Sequence, residues 1–331
     1  MNEANALNIL DKSRIYNGIE DMKKLFDSTA KKNINKAIEL INEQNTSFTS
    51  LFLLQDKLKE FNISKELSLK NKVALSFIDG LKDEKKDTTF TTSLSAEHTQ
   101  LTLPTLKWIL ETGYTDDGLN NEFDEVLDKA AILLIKSYND NSELPIIVDL
   151  IFDRYKRGFY IHDLVWAFFE SCEPKSLYLL AEHLKSTDVK EVELASKLLS
   201  FIPGISINSP KSNEEKYTAF TKWFDENSSF LHYTGESFQL TSEPIPYEVN
   251  LEAKYLCKKI SVNNGEFIEP LTNKEVTMLN SFKKLNNDAK ILLSSFSYMA
   301  YRKNNTWWQE WIKYPIAVQI NVAKAKGEYY D

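Results

Sequence analysis

The segments Leu103-Pro104-Thr105-Leu106, Leu144-Pro145-Ile146-Ile147 and Glu173-Pro174-Lys175-Ser176-Leu177 open three stretches of the chain that share one pattern. In each stretch a short amphipathic helix is followed by a turn and a second apolar helix. A helical pair that returns every ~30 to 40 residues cannot bury its apolar face alone, so it stacks on neighbouring pairs. The pattern predicts an all-α fold that contains an array of helical hairpins.

Apolar periodicity within these stretches supports the helices. One stripe at helical spacing consists of Leu144, Ile147, Val148, Ile151, Phe152 and Tyr155. A second stripe with the same spacing consists of Ile161, Leu164, Val165, Phe168 and Phe169. Gly158 stands between them, where glycine suits the residue that ends a helix. We therefore predict two helices joined by a turn at Gly158.

The next unit carries the marks of a known repeat. Its turn reads Thr187-Asp188-Val189-Lys190, and a second helix with Ala195 and Leu198 follows. This unit resembles a HEAT-type repeat, whose marks include a proline in the first helix, an Asp-x-Val-Arg-like turn and an Ala-x-x-Leu second helix. Here Lys190 stands at the basic position, and Pro174 lies at the very start of the first helix. The resemblance covers about residues 101–203 and implies a solenoid fold without a particular function.

Three regions are expected along the chain. They are an N-terminal helical region (1–97), the HEAT-like repeats (98–208) and a helical C-terminal region (209–331). A loop rich in charged residues, serine and threonine, from Lys82 to Glu97, is the best candidate for the first boundary.

The C-terminal region carries signals for both helix and strand. Capping-box spacing, at Ser212 with Glu215 and at Thr272 with Glu275, predicts two helix starts. The dipeptide Asn264-Gly265 suits a tight turn, so we predict one small β-hairpin over residues 260–268. The stretch from Leu240 to Asn250 contains two prolines and is expected to be extended.

Composition limits the classes of function. The net charge of −8 and the pI near 5.3 argue against nonspecific nucleic-acid binding, which needs clustered lysine and arginine. We find no apolar stretch of the roughly 20 residues that a membrane-spanning helix needs, and no secretory signal. Cys172 and Cys257 are far apart in the sequence, so reduced thiols in a cytoplasmic protein are expected. We expect no membrane partner.

Two groups of polar residues in the repeats are candidate binding sites. His162-Asp163 is a dipeptide found in metal-dependent phosphohydrolases, although the simpler interpretation places Asp163 in the favourable first turn of a helix. Asp149 and Asp153 are four residues apart, so they share one helix face, and the simpler interpretation is a solvated, ion-paired surface. The other histidines have no metal-ligand spacing, and we expect neither a metal nor a cofactor.

A third candidate is the aromatic segment with Trp307, Trp308 and Trp311. Tryptophan is enriched in binding hot spots, which favours a docking surface. Trp308, Trp311 and Ile312 also have the spacing of a helix that packs on its own core, which we weigh as the stronger interpretation.

The sequence favours a non-catalytic role. No phosphate-binding glycine loop and no serine or cysteine nucleophile motif occurs in the chain. We expect a protein-interaction or scaffold protein with a protein partner and no nucleic acid, or a structural component of a larger assembly. The alternative is an enzyme on a helical scaffold, such as a HEAT-like DNA glycosylase or a metal-dependent phosphohydrolase.

Overall fold

Helix dominates the computed structural model, which describes residues 7–82 and 96–327. The chain packs as two compact units that divide between Ile151 and Phe152. The described part contains 18 α-helices and one small two-stranded antiparallel sheet. The prediction of an all-α fold with a small β-hairpin is therefore confirmed.

Helices alone make up the regular structure described for the first unit. They are α1 (Ile9–Asn17), α2 (Ile19–Lys32), α3 (Ile34–Asn42), α4 (Phe48–Leu53), α5 (Gln55–Glu60), α6 (Leu69–Lys82), α7 (Ala96–Gly113) and α8 (Asn121–Tyr138), with 3-10 turns at Ser64–Glu66 and Tyr114–Asp116. Residues 83–95 of the expected boundary loop lie outside the described residues.

An aromatic cluster forms part of the core of the first unit. The ring of Phe48 lies 5.8 Å from that of Trp108 and 5.6 Å from that of Phe123, so α4, α7 and α8 meet at this point. Gly113 ends α7 there, and a Cβ atom on it would lie 3.0 Å from Leu127. An alanine at Gly113 would therefore require the Leu127 side chain to move by a few tenths of an ångström.

Helix α9 (Leu144–Arg157) crosses the division between the two units. The elements that follow are α10 (His162–Glu170), α11 (Leu177–Glu182), α12 (Val189–Leu198), α13 (Asn213–Asn227), β1 (Leu231–Tyr233), β2 (Tyr247–Val249), α14 (Leu251–Leu256), α15 (Asn273–Lys283), α16 (Asn287–Lys303), α17 (Asn305–Trp311) and α18 (Ile316–Gly327). Short 3-10 turns occur at Pro174–Ser176, His183–Lys185 and Ser228–Phe230.

Local signals placed several helix ends correctly. Both predicted capping boxes form, at Ser212 with Glu215 and at Thr272 with Glu275. Gly158 follows α9 with a φ of +76°, as its position between two apolar stripes indicated. Pro104 differs from the expectation, because it lies inside α7 and does not open a helix.

The two-stranded sheet lies outside the predicted hairpin. Strands β1 and β2 pair antiparallel, with Leu231 opposite Val249 and Tyr233 opposite Tyr247. Within 260–268 a single antiparallel bridge joins Ile260 and Phe267. The Val262 carbonyl there accepts a hydrogen bond of 2.7 Å from the amide of Tyr233, so the turn extends the sheet edge. Strand β2 does fall in the stretch that we expected to be extended.

The repeat architecture and the three expected regions remain predictions. Asp188 caps α12 by accepting a hydrogen bond from the amide of Lys190, which agrees with a turn at this motif. Val189 of the same motif is 79% exposed, so it adds little to any stacking of repeats. The division at Ile151 falls within a helix, where the sequence gives no sign of a boundary.

Candidate functional site

A cavity of about 830 Å³ in the second unit is the strongest candidate site. Four helices contribute to its wall: α13, α14, α16 and α18. Its apolar lining consists of Ile291, Leu292, Phe296, Met299 and Ala323. This volume lies in the range of ~300 to 1,000 Å³ that is usual for small-molecule sites.

Helix α16 forms the longest side of the cavity. Asn286 caps it by accepting a hydrogen bond from the amide of Ala289. Leu293 and Phe296 are buried in the C-terminal core, which fixes the rotation of the helix. Leu292, Ser295 and Met299 consequently face the cavity.

Lys254 lies in the cavity wall and is only 3% exposed. It belongs to α14, a short helix capped by Asn250 and packed against α16. Its ammonium donates hydrogen bonds to Asn227 Oδ1 at 2.7 Å and to Ser295 Oγ at 3.5 Å. Burial lowers the pKa of Lys254 to about 8, although the negative charge of Glu226 opposes this shift.

Basic side chains dominate the rim. Five basic residues line the cavity, namely Lys222, Lys254, Arg302, Lys303 and Lys324, against two acidic ones, Asp225 and Glu226. One acidic residue is already paired, because Arg302 Nη1 lies 2.7 Å from Asp225 Oδ2. The cavity therefore combines an apolar wall with an excess of positive charge.

A thiol and a hydroxyl contact the backbone of α14, to which Lys254 belongs. Ser297 Oγ donates to the Tyr255 carbonyl at 2.6 Å and accepts from Trp308 Nε1 at 2.8 Å. Cys257 Sγ lies 3.9 Å from the same hydroxyl. Burial raises the pKa of Cys257 to about 12, so its thiol stays protonated at neutral pH. Of Lys254 and Cys257, Lys254 is the side chain that loses its proton more readily.

The two aspartates lie four residues apart on α9, and their role in binding stays a prediction. Asp149 and Asp153 are both exposed, and they fall on opposite sides of the division between the units. Asp153 forms an ion pair of 2.9 Å with Lys156. The arrangement at Asp153 corresponds to the solvated, ion-paired interpretation.

His162 and Asp163 begin α10 and are half-buried. The His162 ring lies 4.8 Å from that of Tyr160 and 6.0 Å from that of Phe238, at the edge of a second cavity of about 470 Å³. Asp163 Oδ1 accepts a hydrogen bond of 2.8 Å from Gln239 Nε2. Within residues 7–82 and 96–327, no group of three histidine, cysteine, aspartate or glutamate side chains could hold a metal ion.

The tryptophan segment packs against the C-terminal core. Trp311 is 1% exposed and lies among Tyr255, Phe282 and Phe296. Trp307 and Trp308 are partly buried against the same cluster. A role for this segment in binding stays a prediction, and the geometry confines it to the exposed edges of Trp307 and Trp308.

Sequence reasoning missed Lys254. A lysine between Ala253 and Tyr255 carries no motif, and lysines on helices usually face solvent. Burial arises only when α13 and α16, which are distant in the sequence, pack on α14. The available signal was weak: Lys254 lies in the apolar run Ala253 to Leu256.

No family model, no curated protein and no solved structure matches this chain. Among the helices of the described chain, none has both the length and the apolar character required to cross a bilayer. Cys172 and Cys257 are free thiols.

Proposed function

We propose that the second unit binds a small organic anion with an apolar body in the Lys254 cavity. The observation that carries this proposal is a buried ammonium in the wall of an apolar cavity with a basic rim. Burying an ammonium whose direct partners are the uncharged Asn227 and Ser295 costs free energy, and an anionic ligand in contact with it would reduce that cost. The acidic chain as a whole would repel such a ligand, so the local excess of positive charge is the relevant quantity.

The two parts of the cavity would recognise two parts of the ligand. A carboxylate or phosphate would accept a charge-assisted hydrogen bond from Lys254 Nζ, which has one N–H beyond those it donates to Asn227 and Ser295. An alkyl or aryl body would pack on Leu292, Phe296 and Met299. Each buried CH₂ group contributes about 0.8 kcal/mol, so affinity should rise with chain length.

Isothermal calorimetry with matched ligands tests the proposal. We expect hexanoate and hexyl phosphate to bind and n-hexylamine, which has the same body with the opposite charge, not to bind. Lys254→Met should weaken hexanoate binding about 10-fold or more, since a hydrogen bond to a charged group contributes about 1.5–3 kcal/mol.

Lys216→Met is the matched control, because Lys216 is also buried and bonded to a hydroxyl, Ser196 Oγ at 3.2 Å, but does not line this cavity. Equal binding of the amine and the carboxylate would refute the proposal. Unchanged hexanoate affinity in a folded Lys254→Met variant would do the same.

A protein-interaction role remains a second candidate. It is favoured by Phe159 and Tyr160, which are 52% and 59% exposed beside the cavity that contains His162. The Arg157 guanidinium lies 4.9 Å from the Phe159 ring, and Lys197 Nζ lies 5.1 Å from the Phe238 ring. Aromatic rings flanked by basic groups suit an acidic protein segment with an apolar anchor.

Affinity purification with paired variants tests this second role. A genuine partner should be lost with Phe159→Ser combined with Tyr160→Ser and retained with Tyr16→Ser, which alters a more exposed aromatic residue of the first unit. A partner retained by the double variant would argue against this surface. The cytoplasmic location is also a prediction, which fractionation of the native cells would check.

A further inference from the structure

We infer that Lys254 forms a reversible imine with an aldehyde or ketone that enters the cavity. The inference rests on the proposed function, because it takes the same cavity as the ligand site. It adds a covalent step and a substrate class, namely carbonyl compounds with an apolar body, of which 2-oxo acids also carry the anion proposed above.

The geometry around Nζ fits a nucleophilic amine. A neutral lysine has two N–H bonds and one lone pair, and it has two acceptors here, Asn227 Oδ1 and Ser295 Oγ. With both N–H groups donated, the lone pair takes the remaining tetrahedral position. Asn227 is itself fixed, because its Nδ2 donates to the Trp223 carbonyl at 2.7 Å.

The surroundings favour the neutral amine. Burial, opposed by the negative charge of Glu226 of α13, brings the pKa of Lys254 to about 8. At pH 7 about a tenth of the side chain is then neutral, against about 0.03% for a lysine of ordinary pKa. Further charged groups at the cavity are Lys222 and Asp225 of α13, Arg302 and Lys303 of α16, and Lys324 of α18.

The reaction needs no oxidant or reductant. The Nζ lone pair adds to the carbonyl carbon, and the carbonyl oxygen takes a proton to give a carbinolamine. The oxygen then leaves as water with both hydrogens that the amine held, and a C=N bond forms. Addition of water reverses both steps and releases the carbonyl compound.

Reductive trapping with 2-oxohexanoate tests the inference. The wild-type protein is incubated with 2-oxohexanoate and cyanoborohydride, which reduces the imine to a stable secondary amine, and each lysine peptide is quantified by mass spectrometry. We expect modification at Lys254 at least about 10-fold faster than at Lys222, which lines the same cavity. Excess hexanoate should slow the modification of Lys254 and leave lysines that do not line the cavity unaffected.

This comparison within one folded protein does not depend on a variant. Lys254→Arg keeps the positive charge and cannot form an imine, so it should bind hexanoate and resist trapping. Modification spread equally over all lysines, or none at Lys254, would overturn the imine.

The outcomes separate the two proposals. Hexanoate binding that needs Lys254, together with no adduct, refutes the imine and leaves the anion site standing. Trapping of neutral hexanal at Lys254, with no binding of hexanoate, supports the imine and refutes the anion site.

Discussion

Glu191 shows how the contacts of one residue set its charge. Its carboxylate lies 2.9 Å from Lys156 Nζ and 3.1 Å from His183 Nδ1. The His183 ring is stacked on Phe152, with 3.6 Å between the ring centroids. Burial alone would raise the pKa of Glu191, but hydrogen bonds from Lys156, His183 and Ser186 outweigh it and hold the pKa at about 2.

We predict that Glu191→Gln weakens the dependence of the free energy of unfolding on pH below pH 5. The folded pKa of about 2 is below the ordinary value of 4.5, so the ionised glutamate stabilises the fold above pH 4.5, and this contribution is lost as the pH falls towards 2. The contribution is at most about 3 kcal/mol. Urea unfolding at pH 5, 4 and 3 measures it, with the exposed Glu243→Gln as control. If the free energy of unfolding fell equally with pH in wild type and in Glu191→Gln, the lowered pKa of Glu191 would be contradicted.

The lowered pKa of Lys254 acts in the alkaline range. Its folded pKa of about 8 is below the ordinary 10.5, so between these values the unfolded chain binds more protons, and wild-type stability rises with pH. We predict that Lys254→Met is at least as stable as wild type at pH 7. Its relative stability should fall by about 3 kcal/mol by pH 10.5. Thermal unfolding across this range measures the difference, and a constant difference would mean that the ammonium is solvated.

At the scale of elements, Ala195 tests the packing of α12. It is fully buried beside Leu194 and Leu198. We predict that Ala195→Asp destabilises the protein by about 3–5 kcal/mol, because it buries a charge without a partner. Lys197→Asp, at an exposed position of the same helix, is the control for helix propensity. Equal melting temperatures for Ala195→Asp and wild type would contradict this position of α12.

The short helix α17 also has a structural role. Trp308 donates from Nε1 to Ser297 Oγ and packs partly on the C-terminal core. We predict that Trp308→Ala destabilises the protein, and that Trp311→Ala does so more strongly, by about 3–5 kcal/mol, because Trp311 is fully buried. Chemical denaturation measures both. A Trp308→Ala variant that unfolds like wild type but loses a partner would identify the segment as a docking site.

Elements with local signals were predictable from the sequence, and those with distant partners were not. Helix α13 runs from Asn213 to Asn227 as expected, because its cap and its apolar spacing lie within one segment. Strand β1 was missed, because Leu231 to Tyr233 becomes a strand only by pairing with β2. Pro104 predicts a helix start, but it lies inside α7. Packing of the helix overrides the preference of proline for a first helical position.

At the scale of the whole molecule, the net charge limited the classes of function, but the candidate site was not predictable from the sequence. The sequence indicates His162 and Asp163 as a candidate site, because this dipeptide occurs in metal-dependent phosphohydrolases. Lys254 gains its properties from three helices that are separated by tens of residues. Only the packed chain brings Asn227 and Ser295 to its ammonium.

We predict no binding to duplex DNA at physiological salt with micromolar protein. The net charge of −8 opposes approach to phosphates, and useful affinity needs several phosphate contacts. Fluorescence anisotropy with a labelled duplex measures this. A salt-sensitive complex with a dissociation constant below micromolar would overturn the prediction and favour the glycosylase-like alternative.

The close pair of indoles in α17 has an optical consequence. The rings of Trp307 and Trp311 lie nearly parallel, 15° apart, with their centroids separated by 6.2 Å. Indoles at this distance couple excitonically, and a couplet from skewed transition dipoles overlaps the helical bands of far-ultraviolet circular dichroism. We expect this coupling to bias the helix content that is read from the ellipticity of this protein. The spectrum of Trp307→Phe, which removes one of the two indoles, gives the correction.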